Sequence, residues 1–401
     1  MFPDTPLNIL LVYCIILSKL RNDYGEDKDM NNLNIAGNIA KLRQDRKVTQ
    51  AELADFLGVT KGSVSKWENG QSMPDILILP QLAAYFNVTI DELIGYEPQL
   101  SQEQIKIIYK ELCSGFVHKT CDEAWEDVRD YVHRYYSCFE FMVQIVVLYV
   151  NHYTIANENN TCERLLKEAC DICNNVIENC TEVRIVNEAL AMKSLCDLFM
   201  GKAEDIIEAL VPVTDPYRVS LQNEHILIQA YQMSGNMEKA RSFTQITMYH
   251  QIIAFIGSAT AYISINAGDI EVVEETIRRI KGLIKLYEID ELNPNASCQF
   301  YYQAAAVYAM SGKKEDMFDM LSRYANAIKI LFKDDIMLHG DSYFDTLEQW
   351  IDDLALGKEP VRARELVAKS ATEALANPVF QQYSNEEQFK EIIKSIEREV
   401  N

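Results

Sequence analysis

The stretch from Thr49 to Gly70 leaves the backbone little choice. Thr49 is a good helix N-cap, and Glu52 three residues later can close a capping box, satisfying two backbone donors at once. Leu53, Ala54 and Leu57 then fall on one helical face. Gly58 stands where the chain must turn sharply, a conformation glycine adopts without a Cβ penalty. Thr60 caps a second helix, in which Val64 and Trp67 point inward at i, i+3 spacing. The outward residues of that helix are Lys61, Gly62, Ser63, Ser65 and Lys66. They are short or basic, as a helix must be if it is to lie in a DNA major groove.

The segment resembles the Cro/XRE-type helix-turn-helix domain of phage repressors and bacterial regulators, from Ile35 to about Gly95. The marks are Ile39, Leu42 and Arg43, then Thr49, Gln50, Glu52, Leu53 and Ala54, then Gly58 and Val59. Ser65, Lys66, Trp67, Glu68, Asn69 and Gly70 follow, with Pro74, Asp75, Leu82, Ala83, Phe86, Val88, Asp91, Glu92 and Leu93. The resemblance implies a five-helix repressor-like domain. It implies that Lys61, Gly62 and Lys66, with Ser65 beside them, face the bases, and that Thr60 belongs to the DNA-binding set. It further implies that Gln50, Ser63 and Asn69 contact phosphate, which sets register without reading sequence. Arg43 and Glu68 match a pair that ties the first helix to the end of the third, an expected structural ion pair.

The formal net charge of −22 sits badly with a DNA reader until it is divided. Residues 35–70 carry Lys41, Arg43, Arg46, Lys47, Lys61 and Lys66 against Asp45, Glu52, Asp55 and Glu68, whereas residues 96–401 sum to −19. An acidic bulk repels the phosphate backbone everywhere but at the reading head, so a single copy should bind weakly. A homodimer on the two half-sites of a palindromic operator in double-stranded DNA is the expected remedy.

Residues 7–17 form an apolar run too short to span a bilayer, which needs about 20 residues, and Asp4 precedes it where a secretory signal would carry positive charge. Residues 1–29 are read as an N-terminal extension from an upstream start choice; a tail docking on the helical body or a membrane surface is the alternative. The divisions expected are then a helix-turn-helix domain over 30–95, a linker over 96–102 and a helical domain over 103–401. A cytoplasmic protein without a membrane partner is expected.

Beyond Pro98 the pattern is helical almost throughout. Gly201, Gly235, Gly268 and Gly312 each follow an apolar stretch and precede a charged helix start, with gaps of 34, 33 and 44 residues. A period near 34 is that of tetratricopeptide repeats, pairs of antiparallel helices stacked into a superhelix. Tyr231, Ala240 and Tyr308 resemble family positions, while the early Trp and terminal Pro are missing. The fold class expected is therefore all-α, a repressor-like head followed by a tetratricopeptide-like α-solenoid. A helix pair is expected over 139–180, an extended helix or loop near 285–296, and capping helices over 341–356, 359–375 and 384–399.

The ten cysteines suggest a metal cluster at first sight. Yet Cys162, Cys170, Cys173 and Cys180 share one apolar stripe of helical period with Leu165, Leu166, Ala169, Val176 and Ile177. Four ligands on one straight helix cannot surround a tetrahedral ion, and free Cys packs as a small hydrophobe. Core packing is the reading, with redox sensing next. No metal and no cofactor are expected. The six histidines are scattered, and no phosphate-binding Gly-rich loop, nucleophile elbow or His-Glu-x-x-His is present, so no catalytic residue is assigned and no enzyme is expected.

If Gly235 ends a first helix, its groove face carries Gln222, His225, Gln229 and Gln232. The same phase adds Ser258, Tyr262 and Asn266, then Gln299 and Tyr302. A strip of amides and aromatics suits an extended peptide, whose backbone needs donors and acceptors in alternation; a solvated groove or a self-association surface is the plainer alternative. The architecture is similar to that of the peptide-sensing RRNPP regulators of Gram-positive bacteria. The function expected is a DNA-binding transcription regulator whose repeats dimerise, sense a signalling peptide, or both. The alternatives are a repeat scaffold that binds a partner protein, and an antitoxin- or immunity-type repressor of a mobile element.

Overall fold

The computed structural model describes residues 34–400, apart from 97–98, 157, 215–222, 334–337 and positions 353, 355, 357 and 359. The N-terminal extension at 1–29, Glu97 and Pro98 of the expected linker, and Gln222 of the expected groove lie outside the described residues. The described chain is helical, with no strand, and divides into two compact units between Leu100 and Ser101.

The first unit, the head, holds α1 (Ile35–Asp45), α2 (Gln50–Leu57), α3 (Lys61–Glu68), α4 (Leu79–Phe86) and α5 (Ile90–Ile94). Local chemistry delimits each short helix. Thr49 and Glu52 form a capping box at α2, Thr89 and Glu92 another at α5, and Thr60 accepts from the Ser63 N–H at α3. Gly58 closes α2 in the left-handed region at φ 69°. Ile39, Leu53, Val64, Trp67, Leu82, Phe86 and Leu93 form one core to which all five helices contribute. Helices this short are marginal in water alone, so the shared core holds them.

The second unit, the body, begins with α6 (Gln102–His118), α7 (Cys121–Arg134), α8 (Phe139–His152), α9 (Asn159–Asn179), α10 (Val183–Phe199) and α11 (Ala203–Thr214). It continues with α12 (Asn223–Met233), α13 (Met237–Ile265), α14 (Ile270–Leu286), α15 (Ile289–Leu292), α16 (Pro294–Met310) and α17 (Lys314–Lys333). It ends with α18 (Leu347–Asp352), α19 (Arg364–Glu373) and α20 (Glu387–Val400), with 3-10 turns at Ala374–Ala376 and Pro378–Tyr383. α8 and α16 are apolar on nearly every side and run through the two halves of the body. The segment Phe139–Ala156 is long and apolar enough to cross a membrane, but 61% of it is buried inside the fold, which is how a core helix reads.

The glycine theme marks helix ends less regularly than a strict repeat requires. Gly201, Gly235 and Gly312 take φ of 75°, 77° and 70° and close helices, while Gly268 is not in the left-handed region. The spacing also predicts a helix turn between the repeat that starts after Gly235 and the one that ends at Gly268. The structure corrects this: α13 runs unbroken for 29 residues. No proline falls within it. Gly257 alone weakens the interior, by about 1 kcal/mol, too little to end a helix held by Tyr249, Ile256 and Ile263 in the core. The tetratricopeptide-like order is therefore interrupted at α13.

At the C-terminal end, long-range bonds seal the stack. The Tyr324 hydroxyl donates to Ala371 O at 3.2 Å, and the Tyr302 hydroxyl donates to Ala374 O at 3.3 Å while accepting from Asn377 Nδ2 at 3.1 Å. α18, α19 and α20 occupy the three expected capping segments as shorter helices, and 3-10 turns at Ala374–Ala376 and Pro378–Tyr383 link α19 to α20.

Candidate nucleic-acid interface

α3 presents two faces of opposite character. Val64 and Trp67 are buried. Lys61, Gly62 and Lys66 are exposed and Ser63 and Ser65 half-exposed. Alternation at helical spacing produces this split: the two apolar residues are three apart, so the rest of the helix must face outward. Thr60 both caps the helix and touches Ser63, with Oγ1–Oγ 2.9 Å and Ser63 N to Thr60 Oγ1 3.1 Å. The helix N-terminus and both lysines thus lie on the accessible side, and neither lysine forms an ion pair among the described residues. A Cβ at Gly62 would come no nearer to another atom than 3.7 Å, from Thr60 Oγ1. Nothing in the head requires a glycine there, and the lack of a side chain leaves room for a close approach from outside.

Behind α3 the orientation is fixed by charge. Arg43 Nε donates to Glu68 Oε1 at 2.6 Å and a terminal guanidinium nitrogen donates to Oε2 at 3.0 Å, while another reaches Val48 O at 2.7 Å. The side chains are 14% and 6% exposed. Such a fork-to-fork pair adds direction as well as energy. Burial by itself would raise the Glu68 carboxyl, but the hydrogen bonds from Arg43 and Gln50 and the Arg43 charge outweigh it and bring it below the ordinary glutamate value. Glu52 is held down by the Thr49 N–H and hydroxyl.

Gln50 and Asn69 are occupied within the head. Gln50 Nε2 donates to Glu68 Oε2 at 2.8 Å, and Asn69 Nδ2 folds back on Ser65 O at 2.8 Å. Asn69 is exposed and Gln50 half-exposed. The bond from Gln50 to Glu68 was not foreseen; an amide opening α2 gives no sign of which distant carboxylate it will meet. Phe56, 61% exposed, packs on Tyr85 with ring centroids 4.5 Å apart and planes tilted by 49°, and the Arg46 guanidinium sits 5.5 Å from the Tyr85 ring. That outer cluster also escaped sequence reasoning, since Phe56 and Tyr85 come from different helices.

The residues assigned to a groove separate into three groups. His225, Gln229 and Gln232 on α12, and Ser258 and Tyr262 on α13, are exposed; Asn266 caps α13 and bonds Tyr262 O. Tyr262 lines a shallow groove with Val272, Glu275, Thr276 and Arg279 of α14. Gln299 is half-buried. Tyr302 is a correction: it is 8% exposed, packed at 5.9 Å on Tyr324 and 5.8 Å on Phe380, so it belongs to the core. The residues from Ala371 on fold over it, and nothing in its local sequence announces that cover. Missed entirely was an outward apolar face on α11, α12 and the start of α13. Ile207, Val211, Ile226, Met233 and Met237 are each more than half exposed. Their helical spacing signals burial, and only their exposure among the described residues reveals otherwise.

The family model described as helix-turn-helix matches residues 39–93. The HTH-type transcriptional activator BcrR of Enterococcus faecalis is 39% identical over 59 residues, 15% of this chain and 29% of BcrR. The antitoxin PezA of Streptococcus pneumoniae serotype 4 is 31% identical over 67 residues, 17% of this chain and 42% of PezA. The chain thus spans less than half the length of either relative. Among solved structures, Bacillus thuringiensis PlcR in complex with the peptide PapR7 and DNA aligns over 75% of this chain and 95% of PlcR, at 16% identity and a TM-score of 0.30, too low to equate the two folds. Residues 39–93 are a Cro/XRE-type helix-turn-helix domain.

Proposed function

We propose that the chain regulates transcription by reading a palindromic operator as a homodimer, and that its helical body senses a signalling peptide. The observation that carries the DNA reading is the outward face of α3. Lys61 and Lys66 are exposed and free of ion pairs among the described residues, on a helix oriented from behind by Arg43 and Glu68. Lysine can donate to guanine O6 and N7 in the major groove, and each good base contact discriminates by about 1–3 kcal/mol. Ser65 lies beside them, and Gln50, Ser63 and Asn69 are the positions expected to meet phosphate. The dimer follows from charge: residues 96–401 at −19 oppose DNA, so two heads on two half-sites supply the affinity that one lacks.

The peptide reading rests on the body. Exposed His225, Gln229, Gln232, Ser258 and Tyr262 offer donors and acceptors, and the uncovered Ile207, Val211, Ile226, Met233 and Met237 offer apolar contact. A ligand that prefers one arrangement of these helices would shift the population of body conformations and with it the spacing of paired heads.

The test is selection of the full chain on a pool of randomised duplexes at low and at physiological salt. Enrichment of an inverted repeat, lost in the Lys61→Ala, Lys66→Ala double variant, is the expected outcome. A pool that stays unenriched at low salt removes the DNA reading. For the peptide, a synthetic peptide library screened by thermal shift should return sequences that raise Tm; flat curves throughout would remove that part alone.

A further inference from the structure

Every helix of the head ends on a residue in the left-handed region. α2, α3 and α5 are followed by Gly58, Gly70 and Gly95 at φ of 69°, 67° and 72°, and α4 by Asn87 at 53°. Glycine and asparagine are the residues that tolerate this conformation. α1 is the exception, because Lys47 takes the position at φ 56°. The turn is well made all the same: Lys47 N–H donates to Gln44 O at 2.8 Å and Val48 N–H to Arg43 O at 3.1 Å. A glycine would make the same two bonds without the Cβ penalty. What lysine adds is a cation on a long stem, and the side chain is exposed.

That cation is uncommitted. Lys47 forms no ion pair among the described residues, and carboxylates close to it in sequence are taken. Glu52 accepts from the Thr49 N–H and hydroxyl, both at 2.8 Å, and Glu68 from Arg43 and Gln50. The preceding Arg46 turns elsewhere, its guanidinium 5.5 Å from the Tyr85 ring and 6.0 Å from that of Phe86. The turn is also fixed in place. Val48 O accepts from Arg43 at 2.7 Å, the same guanidinium that grips Glu68 at the end of α3, and Gln50 Nε2 reaches that carboxylate at 2.8 Å. Lys47 is therefore carried by a turn bonded to the C-terminal end of α3, where Lys66 stands exposed in the last turn.

We propose that Lys47 is a phosphate contact of the head, at a position outside the set Gln50, Ser63 and Asn69; this rests on the DNA reading proposed above. Strain by itself assigns nothing, since Glu288 in the body takes φ 49° with the opposite charge. The assignment comes from charge and place together: a free ammonium on a turn tied to the end of α3 and leading into the helix that carries Gln50. A point charge of this kind releases a condensed counterion and adds affinity without reading sequence. It also bears on the charge problem of this chain, because each further phosphate contact offsets the acidic remainder.

The test is fluorescence anisotropy of the full chain on a labelled duplex of arbitrary sequence, longer than two half-sites, over a salt series. Lys47→Gly should weaken binding about threefold or more and lower the slope of log affinity against log salt by about one. The urea midpoint of the Trp67 transition should rise in the same variant, since glycine takes the turn without strain. A loss of affinity beside a gain in stability is the signature that a merely structural lysine would not give. Lys47→Arg should keep both affinity and slope. Unchanged affinity and slope in Lys47→Gly, with the Lys61→Ala, Lys66→Ala double variant weakened, would overturn the Lys47 contact and leave the DNA reading standing. Lys47→Arg as weak as Lys47→Gly would overturn the role of charge. An unmodified chain that binds no duplex even at low salt would overturn both.

Discussion

Two buried glutamates, one in each unit, each meet an arginine, and they respond in opposite directions. In the head, Glu68 accepts two bonds from Arg43 and one from Gln50, and its carboxyl falls below the ordinary value. In the body, Glu188 is 4% exposed and accepts from Arg184 at 2.8 Å, but that arginine also serves Glu140 at 3.2 Å. Desolvation dominates at Glu188, with Glu140 and Glu182 adding repulsion, and the carboxyl is pushed up to about 7. Burial does not decide whether an ion pair stabilises; the number of donors committed to the carboxylate does. The head spends its ion pair on holding α3 in place. The body tolerates one that works against it near neutral pH.

The largest effect that would break this contrast is expected at Arg43→Met. It leaves Glu68 buried with only Gln50 beside it, and breaking a buried pair in this way costs about 3–5 kcal/mol. Trp67, buried in the head core, is the probe: its fluorescence should change at lower urea than in the unmodified chain. The unmodified pair also has a pH signature. A lowered folded value means that the stabilisation is complete above the ordinary glutamate value of 4.5 and is lost as pH falls through the lowered one. An unchanged urea midpoint in Arg43→Met would show the pair to be ornamental.

Next comes Glu188→Gln, with the opposite sign. A carboxyl raised from 4.5 to about 7 favours the fold below 4.5 and loses that contribution as pH rises through about 7. Replacing it should stabilise the body by about 3 kcal/mol at pH 8 and leave it unchanged at pH 4, the difference that such a shift represents. The body tryptophans, Trp125 and Trp350, report the transition. Destabilisation at pH 8 would place Glu188 in the same class as Glu68.

A third test turns to the outward face of α3. Lys61→Ala should weaken operator binding by about 1–3 kcal/mol without moving the urea midpoint, because the side chain is exposed and bears no internal bond. Fluorescence anisotropy on the selected duplex measures it, and a salt dependence reduced by about one phosphate would assign the residue to the backbone instead of a base. The smallest effect is expected at Thr60→Ala. Losing the cap to Ser63 should destabilise the head by about 1 kcal/mol, visible as a small drop in the Trp67 transition.

The head was legible because its determinants are short in sequence. Thr49 with Glu52, Thr60 with Ser63, and Thr89 with Glu92 are three residues apart, so the pattern that predicts the bond also contains both partners. Inward Val64 and Trp67 assign the outward face by subtraction. The body resisted for the converse reason. The Tyr302 hydroxyl finds Ala374 and Asn377 more than seventy residues away, and Tyr109 donates to Val361 O across 252. α13 continues through the point where the glycine spacing asks for a turn. The apolar spacing of α11 and α12 is the same code that elsewhere means core.

The amino-acid sequence alone determined where helices start and stop in the head, which face of α3 is wet, and that the chain is helical from end to end of its described length. Caps, left-handed glycines and a period of 3.6 act within one or two turns, where no other part of the chain can intervene. Tertiary structure alone decided which apolar faces found partners, whether Tyr302 lay open or covered, which arginine each buried glutamate met, and that Cys170 came to rest beside Asp197. Those outcomes depend on contacts between segments distant in sequence, and an apolar or charged side chain carries no mark of which distant neighbour will complete it.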